Sequence, residues 1–406
     1  MKVLLSAYAC EPDKGSEQEI GWQRALHMVP FADEVWVLTR SNNREVIESD
    51  PQGHTPGLHF LYYDLPRWLR RLKKGPGFLY VYVTLWQWGA YRFAARHHRE
   101  KPFDRVFHVT FSGMVSGSFM GRLGIPLIVG PMGGGERAPL SLRRGMPALC
   151  RLEELLRDLG IILQRYSPLT CPALAAAERI YVTTPESLRL VKAKWHSKTE
   201  VQLSVGHCSQ TARQPERRPS PLPQFVFVGR LLHWKGVHFA IRALTEARRT
   251  VPAATLTLFG NGPAERWLRD LANRCGVADG VEFAGHVPRQ QLIESLLSYT
   301  ALIFPSLHDS GGLVVLEALS KGLPVVCLDR GGPGIMVNES CGIVVSTRGA
   351  SEDEAVAGVA KAMISMATMA PEEWENLSAG AISRSNDLSW DNLTSQIVGC
   401  GVLETK

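Results

Sequence analysis

The chain has 406 residues, 45% of them hydrophobic, which is enough to bury a large core and to form about two domains. Its net charge of +6 lies mainly in the first half, but no nucleic-acid-binding motif accompanies that charge, so a nucleic-acid partner is not expected. No stretch approaches the roughly 20 continuous apolar residues of a membrane-spanning helix.

The chain opens with a short apolar run, "KVLLSAYAC", that ends at Glu11 and Pro12. A run of this length is more typical of a buried first strand than of a secretory signal peptide, so we expect a cytoplasmic protein. The eight cysteines are far apart and have no spacing typical of a zinc site, which favours reduced thiols.

Apolar runs alternate with helical segments through the first half, which is the pattern of a parallel sheet covered by helices. The runs are "KVLLSAYA", "EVWVLT", "LHFLYYDL", "RVFHVTF" and "PLIVGP". They predict a Rossmann-like, doubly wound domain over residues 1–205.

A basic and aromatic segment, residues 66–101, stands out in this half. Five cations precede its aromatic run: Arg67, Arg70, Arg71, Lys73 and Lys74. Two interpretations stay open. The segment is either a solvated turn followed by core aromatics, or a patch that rests on anionic lipid headgroups through its cations and its Trp and Tyr side chains. The second would place the protein at the inner face of the membrane.

A linker is predicted at residues 206–224, where the sequence becomes polar and proline-rich and loses its periodicity. The alternation then restarts with "FVFVGRL", "ATLTLFGNG", "VEFAGHV", "ALIFPS", "LPVVCLD" and "CGIVV", which predicts a second Rossmann-like domain over residues 225–370. Residues 371–406 are a helical tail whose docking stays open. We therefore expect an α/β protein of two doubly wound domains facing each other across a cleft, with ligands at the carboxyl ends of the strands.

The stretch "HDSGGLVVLEALSKG" is a loop that leads from a strand into a helix. Gly311 and Gly312 would leave backbone N–H groups uncovered at the helix N-terminus, which favours a phosphate. Glu317 lies among apolar residues and would accept hydrogen bonds from ribose hydroxyls, while Asp309 would face a sugar. The alternative is that Asp309 or Ser310 only caps the helix and that Glu317 is solvent-exposed.

The stretch "FVFVGRLLHWKG" places Arg230 and Lys235 after another buried strand. A guanidinium fork and a mobile ammonium together suit a diphosphate whose negative charge grows as it leaves. The alternative is a pair of exposed surface cations.

These stretches, with "LFGNGP", "VEFAGHV" and "LPVVCLDRGGPG", resemble the donor domain of glycosyltransferase family 4, retaining enzymes with the GT-B fold. The resemblance covers residues 225–345 in order. It implies that Glu317 binds the ribose of a nucleotide sugar and that Arg230 and Lys235 bind its diphosphate.

By the same resemblance, Asp309 and the amides of Gly311 and Gly312 hold the donor sugar, and the backbone near Val287 borders the base. The family usually carries two glutamates separated by seven residues, whereas here the first acid is Asp309.

The first half resembles the acceptor domain of the same family in "KVLLSAYACEPDKGSEQEIGW", "FDRVFHVTF" and "PLIVGPMGGGE". The resemblance implies that the backbone at Gly15 approaches the diphosphate, where a side chain would clash. It also implies that His108 contacts the transferred sugar. Without the resemblance, a lone histidine in an apolar strand is more often a core residue.

The resemblance implies transfer of a sugar from a nucleotide diphosphate sugar to an acceptor hydroxyl, with retention at the anomeric carbon. The process would be polysaccharide, lipopolysaccharide or glycolipid assembly. The acceptor stays open, and a lipid-linked acceptor is one alternative. No cofactor or metal is expected, because no Asp-any-Asp motif is present.

Two alternatives stay open on the same fold: a sugar-nucleotide epimerase or hydrolase, and a noncatalytic sugar-nucleotide-binding protein. A nicotinamide oxidoreductase is disfavoured, since the best candidate for its fingerprint, "GNGPAE", lacks the third glycine.

Overall fold

The structure is a computed structural model that describes residues 1–66, 68–69, 76–111, 117–208 and 222–399. It divides into two compact units. The first unit comprises Met1–Gly135, Leu159–Val205 and Trp390–Lys406, and the second comprises Glu136–Asp158 and Gly206–Ser389. Each unit is built on one parallel β-sheet, which confirms the predicted α/β class with two Rossmann-like sheets.

The first unit has a seven-stranded sheet in the order β3-β2-β1-β4-β5-β6-β7. Its strands are β1 (Lys2–Ser6), β2 (Glu34–Arg40), β3 (Leu58–Tyr63), β4 (Arg105–His108), β5 (Leu127–Met132), β6 (Arg179–Val182) and β7 (Thr199–Val201). The five predicted runs form β1 to β5. The last two strands were not predicted, because the apolar run of β6 is limited to residues 180–182 and β7 has only three residues.

Helices cover this sheet. They are α1 (Ser16–Met28), α2 (Arg44–Ser49), α3 (Pro76–Glu100), α5 (Thr170–Ala176) and α6 (Pro185–Leu188). Helix α4 (Ala148–Gln164) begins in the second unit and ends in the first. Trp86 of α3 is fully buried in the core that also includes Leu4 and Val106. The long apolar run that begins α3 therefore contributes part of its aromatic surface to the core of this unit.

The second unit has a six-stranded sheet in the order β10-β9-β8-β11-β12-β13. Its strands are β8 (Gln224–Val228), β9 (Thr255–Phe259), β10 (Val281–Gly285), β11 (Ala301–Phe304), β12 (Val325–Leu328) and β13 (Gly342–Val345). All six predicted runs are confirmed. The strand ends of β8, β9, β10 and β11 lie side by side, and this edge carries the loops singled out in the sequence.

The helices of the second unit follow its strands in turn. They are α7 (Val237–Ala247), α8 (Glu265–Arg274), α9 (Arg289–Ser295), α10 (Leu313–Ser320), α11 (Pro333–Met336), α12 (Glu352–Thr368) and α13 (Pro371–Asp387). Helix α12 begins with a capping box, in which Ser351 and Glu354 satisfy each other's backbone N–H groups, and it packs against α7.

Residues 136–158, predicted to belong to the N-terminal domain, are part of the second unit. The amide of Gly145 donates to Glu352 at 2.7 Å, and Arg242 binds the same carboxylate at 2.6 Å. Within the segment, buried Arg143 pairs with Asp158. These contacts, together with those of Glu154 described below, explain why a piece from the middle of the chain belongs here.

The predicted tail contains two helices with different partners. In the second unit, the indole N–H of Trp374 on α13 donates to Thr300 at 3.0 Å. The following helix, α14 (Trp390–Gly399), belongs to the first unit, where Arg24 donates to Thr394 at 2.9 Å and lies over the Trp390 ring. The tail is therefore shared between the two units.

Several predictions fall outside the described residues. They concern the five cations Arg67, Arg70, Arg71, Lys73 and Lys74, residues 209–221 of the predicted linker, and Cys400. The cysteines within the described ranges are free thiols. Within those same ranges, no helix has both the length and the apolar character needed to cross a membrane.

Candidate functional site

A pocket of about 420 Å³ opens at the strand ends of the second unit. It is lined by Val228, Gly229, Arg230, Phe259, Gly260, Asn261, His286, Val287, Arg289 and Leu292. These residues end or follow β8, β9 and β10, which are neighbours in the sheet. Ligands of parallel α/β sheets bind at this edge, so the pocket lies where the fold predicts a ligand.

Lys235 and Asp309 form an ion pair. Lys235 lies in the loop that follows β8, and Asp309 lies in the loop that follows the neighbouring strand β11. Both side chains are mostly buried, at 20% and 16% exposure. The pair depends on Gly236, whose backbone has φ +72° and lies against the carbonyl of Pro305, so that a Cβ there would approach the oxygen to 1.9 Å. A glycine lets the loop after β8 pack onto the end of β11.

Asp309 also holds the start of α10. Its Oδ1 accepts the amide N–H of Gly312 at 3.2 Å, and Gly312 is the left-handed N-cap residue with φ +65°. The prediction that the Gly312 amide is uncovered is therefore wrong, because this amide already donates a hydrogen bond to Asp309. The carboxylate of Asp309 thus connects Lys235 to the glycine turn between β11 and α10.

Glu317 is not solvent-exposed: its side chain is 14% accessible and pairs with Arg289 at 2.7 Å. Arg289 lines the pocket together with Arg230 and Val287. The sequence interpretation overlooked Arg289, although it follows the end of β10 and so lies on the same edge of the sheet. Two guanidinium groups and one shielded carboxylate therefore gather at this pocket, an arrangement suited to an anionic ligand that also carries hydroxyl groups.

Seven of the nine predicted site residues lie in the second unit: Arg230, Lys235, Val287, Asp309, Gly311, Gly312 and Glu317. Gly15 and His108 belong to the first unit. Gly15 precedes α1 with φ +61° and ψ 175°, a conformation that favours glycine, and the space around a hypothetical Cβ is open. The glycine is thus required by the backbone itself, and open space at this position is compatible with a ligand nearby.

His108 is the last residue of β4 and lies beside Ser6 of β1. It is 1% exposed; its Nδ1 lies 3.4 Å from the Ser6 hydroxyl, and its Nε2 has no hydrogen-bond partner among the described residues. Burial lowers the pKa of His108 to about 4, so the ring is neutral at pH 7.

This burial predicts a pH effect on stability. Since the folded-state pKa lies below that of the unfolded chain, unfolding takes up a proton at His108 once the pH falls below about 6.5. Between pH 6.5 and 4, His108 should remove about 3 kcal/mol from the free energy of unfolding. Urea unfolding of the wild type and His108→Gln at pH 7 and pH 4.5 should show a smaller acid loss for the variant, and equal losses would contradict the assignment.

A group of metal-type ligand atoms lies elsewhere in the second unit. The group consists of the Cys150 sulfur, a Glu153 carboxylate oxygen and a ring nitrogen of His233, and these three atoms lie within 4.8 Å of one another. His233 is already bound through its Nε2 to the buried Glu154 at 3.0 Å. The prediction that the reaction needs no metal stays a prediction.

Residues 209–376 match the family model described as "Glycosyl transferases group 1". A glycogen synthase of Mycobacterium tuberculosis is 38% identical over 156 residues, which are 38% of this chain and 36% of that protein. A D-inositol 3-phosphate glycosyltransferase of Acidothermus cellulolyticus is 31% identical over 233 residues, covering 54% of this chain and 49% of the relative. The matched stretches therefore span half or less of these relatives.

Solved structures resemble the whole chain. A lipopolysaccharide outer core galactosyltransferase superposes with a TM-score of 0.61 over 98% of this chain and 99% of its own, at 15% identity. An Anabaena protein, HepE, solved in complex with UDP, gives 0.58 over 98% and 99%, also at 15% identity. At these identities the likeness shows a shared fold.

Proposed function

We propose that the chain is a retaining glycosyltransferase of family 4, because residues 209–376 match the glycosyl transferase group 1 model and the chain shares the fold of solved glycosyltransferases. It would move a sugar from a nucleotide diphosphate sugar to an acceptor hydroxyl. The observation that supports this most strongly is the pocket at the strand ends of the second unit, which Arg230 and Arg289 both line and where Arg289 pairs with Glu317.

The cations of this unit fit the diphosphate. Lys235 is neutralised by Asp309, and a bound diphosphate would compete with Asp309 for the ammonium group. Asp309 would then be free to accept hydrogen bonds from hydroxyls of the donor sugar. Arg230 would add a second cation, and both would stabilise the negative charge that grows on the departing phosphate.

The reaction balances without a protein nucleophile. The bond between the anomeric carbon and the phosphate oxygen breaks, and the acceptor oxygen attacks that carbon on the same face. The acceptor proton passes to an oxygen of the leaving phosphate. Retention of configuration follows from the shared face, and the protein supplies binding, orientation and charge.

Glu317 fits the ribose of the donor. In the structure it accepts from Arg289, so it is oriented before a ligand arrives. Ribose hydroxyls would share or replace that contact, and Val287 in the pocket wall would border the base. The roles of Gly15 near the diphosphate and His108 near the transferred sugar stay predictions that rest on the family resemblance.

The process we propose is polysaccharide, lipopolysaccharide or glycolipid assembly. The matching relatives include the glycogen synthase and a GDP-mannose-dependent phosphatidylinositol monomannoside mannosyltransferase, 34% identical over 150 residues. For this chain, the donor would be a nucleotide diphosphate sugar, and the acceptor a polysaccharide or a lipid-linked saccharide.

The test is release of nucleoside diphosphate from a panel of UDP-, GDP- and ADP-sugars, with and without polysaccharide, glycolipid and small-molecule acceptors. We expect release that depends on one acceptor class and a product whose anomeric configuration, read by NMR, equals that of the donor. Sugar release without an acceptor would favour a hydrolase, and a changed sugar nucleotide an epimerase. Binding without any turnover would favour the noncatalytic alternative.

We further propose peripheral membrane contact through residues 66–101. Large apolar side chains of this segment are exposed: Trp68, Tyr80, Val81, Leu85 and Trp88. Each basic residue near an anionic surface contributes about 1 kcal/mol to membrane binding. Changing Arg70, Arg71, Lys73 and Lys74 to alanine should therefore lower the affinity for anionic vesicles, measured by sedimentation, by roughly 100-fold or more. Nucleotide binding and the weak binding to neutral vesicles should not change. Unaltered binding to anionic vesicles would refute the contact.

A further inference from the structure

Glu154 is a buried carboxylate that the proposed reaction does not use. It lies on α4, within residues 136–158 of the second unit, and is 1% exposed. Its Oε1 accepts from Nε2 of His233 and from Nε2 of His308, both at 3.0 Å. A carboxylate is expensive to bury unless it is hydrogen-bonded, so a carboxylate kept at this depth is well placed to fix the position of its partners.

The two histidines belong to the two loops that carry Lys235 and Asp309, the ion pair assigned above to the diphosphate and the donor sugar. His233 lies two positions before Lys235 in the loop after β8, and His308 immediately precedes Asp309 in the loop after β11. The ion pair of Lys235 and Asp309 joins the same loops farther along. One oxygen of Glu154 thus holds both loops on one side, and the ion pair joins them on the other.

Trp234 fills the space between the histidines. Its ring stacks on His308, with centroids 5.2 Å apart and an interplanar angle of 18°, and meets His233 edge-on at 4.7 Å. Its carbonyl accepts the amide of Leu307 at 2.9 Å. The aromatic contacts and the backbone hydrogen bond fix the spacing of the loops, while Glu154 fixes the direction of both rings.

The charge state of the cluster supports a rigid arrangement. Burial alone would raise the pKa of Glu154, but the hydrogen bonds from His233 and His308, with nearby charges, hold the pKa of Glu154 well below its usual range. Burial lowers the pKa of His308 despite its bond to Glu154. An ionised carboxylate only accepts hydrogen bonds, so both rings must carry a proton on Nε2.

We propose that Glu154 is a positioning residue for the diphosphate site: through His233 and His308 it sets the separation and direction of the loops that present Lys235 and Asp309. This inference rests on the proposed function, because it assigns Lys235 to the diphosphate. A segment from the first half of the sequence thereby shapes the donor site of the second unit.

Calorimetry with UDP, GDP and ADP and their monophosphates tests this role in the full chain. Charge-assisted hydrogen bonds contribute enough that Glu154→Ala should weaken binding of the preferred diphosphate about tenfold. Binding of the matching monophosphate should change little. In a Lys235→Ala background, Glu154→Ala should have no further effect on diphosphate affinity, because both changes act on one contact.

Three further variants make the outcome specific. Glu154→Gln keeps an oxygen that accepts both histidine N–H groups and should restore most of the diphosphate affinity. His308→Phe keeps a ring over Trp234 but loses one N–H, so it should reproduce the loss if Glu154→Ala does not fold. Glu375→Ala, which removes an exposed carboxylate from α13 of the same unit, should bind like the wild type.

Equal losses for monophosphate and diphosphate, or additive losses in the Lys235→Ala background, would overturn the positioning role and leave Glu154 as a structural anchor of residues 136–158. A wild type that binds none of the six nucleotides would overturn the proposed function, and this inference with it. The two failures are therefore distinguishable by whether the wild type binds.

Discussion

Replacing Lys235 by alanine should lower the rate of sugar transfer about 100- to 1,000-fold, roughly the effect of removing one preorganised donor from a developing anion. The Lys235 side chain is 20% exposed, so it is mostly shielded from water and its ammonium group would act at short range on the leaving phosphate. The loss should appear mainly in kcat, because the negative charge on the phosphate grows in the transition state.

The initial rate of nucleoside diphosphate release in the presence of acceptor measures this effect. Lys361→Ala is the matched control, since it removes an exposed lysine from α12 of the same unit. Removal of Lys235 also leaves Asp309 without its ion pair, so thermal unfolding of the variant should be recorded alongside. A folded variant that keeps the wild-type rate would exclude Lys235 from the chemistry.

Replacing Glu317 by alanine should weaken donor binding by roughly 10- to 100-fold, because hydrogen bonds to a charged group contribute about 1.5 to 3 kcal/mol. The carboxylate is 14% exposed, and alanine would leave its hydroxyl partners in the ligand unpaired. Calorimetric Kd values for the donor nucleotide measure the loss, with Glu294→Ala on α9 as an exposed control.

The ion pair of Glu317 with Arg289 leads to a second prediction, for the double variant. Without Glu317, Arg289 loses this ion pair, and its guanidinium group would be drawn toward the diphosphate, which would offset part of the loss. The double variant Glu317→Ala with Arg289→Ala should therefore bind more weakly than Glu317→Ala alone. If Glu317→Ala binds as tightly as the wild type, Glu317 does not contact the donor.

The two sheets could be predicted because most of their strands are runs of apolar and β-branched residues separated by helical segments. β6 and β7 could not, since an apolar run of three residues in β6 and a strand of three residues in β7 carry too little periodicity. The assignment of residues 136–158 to the second unit could not be predicted from the sequence either. It depends on contacts with distant residues, such as Gly145 with Glu352, and such pairings leave no periodic trace.

The loops of the candidate site were predicted, whereas their internal contacts were not. Glycines, an acid and a cation after apolar strands identify the loops, because ligands bind at strand ends in parallel sheets. Whether Lys235 meets Asp309, or Glu317 meets Arg289, depends on the order of strands in the sheet and on side-chain direction. Arg289 lies after β10 and therefore at the same edge, but only the sheet order brings it to Glu317.

The most direct test of the central claim is a calorimetric titration of the wild-type protein with nucleoside diphosphates and their sugars, varying the base. The pocket and its cations predict binding of one base class at one site per chain, with the diphosphate bound more tightly than the monophosphate. Binding of none of them, or equal binding of nucleosides with and without the diphosphate, would contradict a nucleotide-sugar site at Arg230, Lys235 and Glu317.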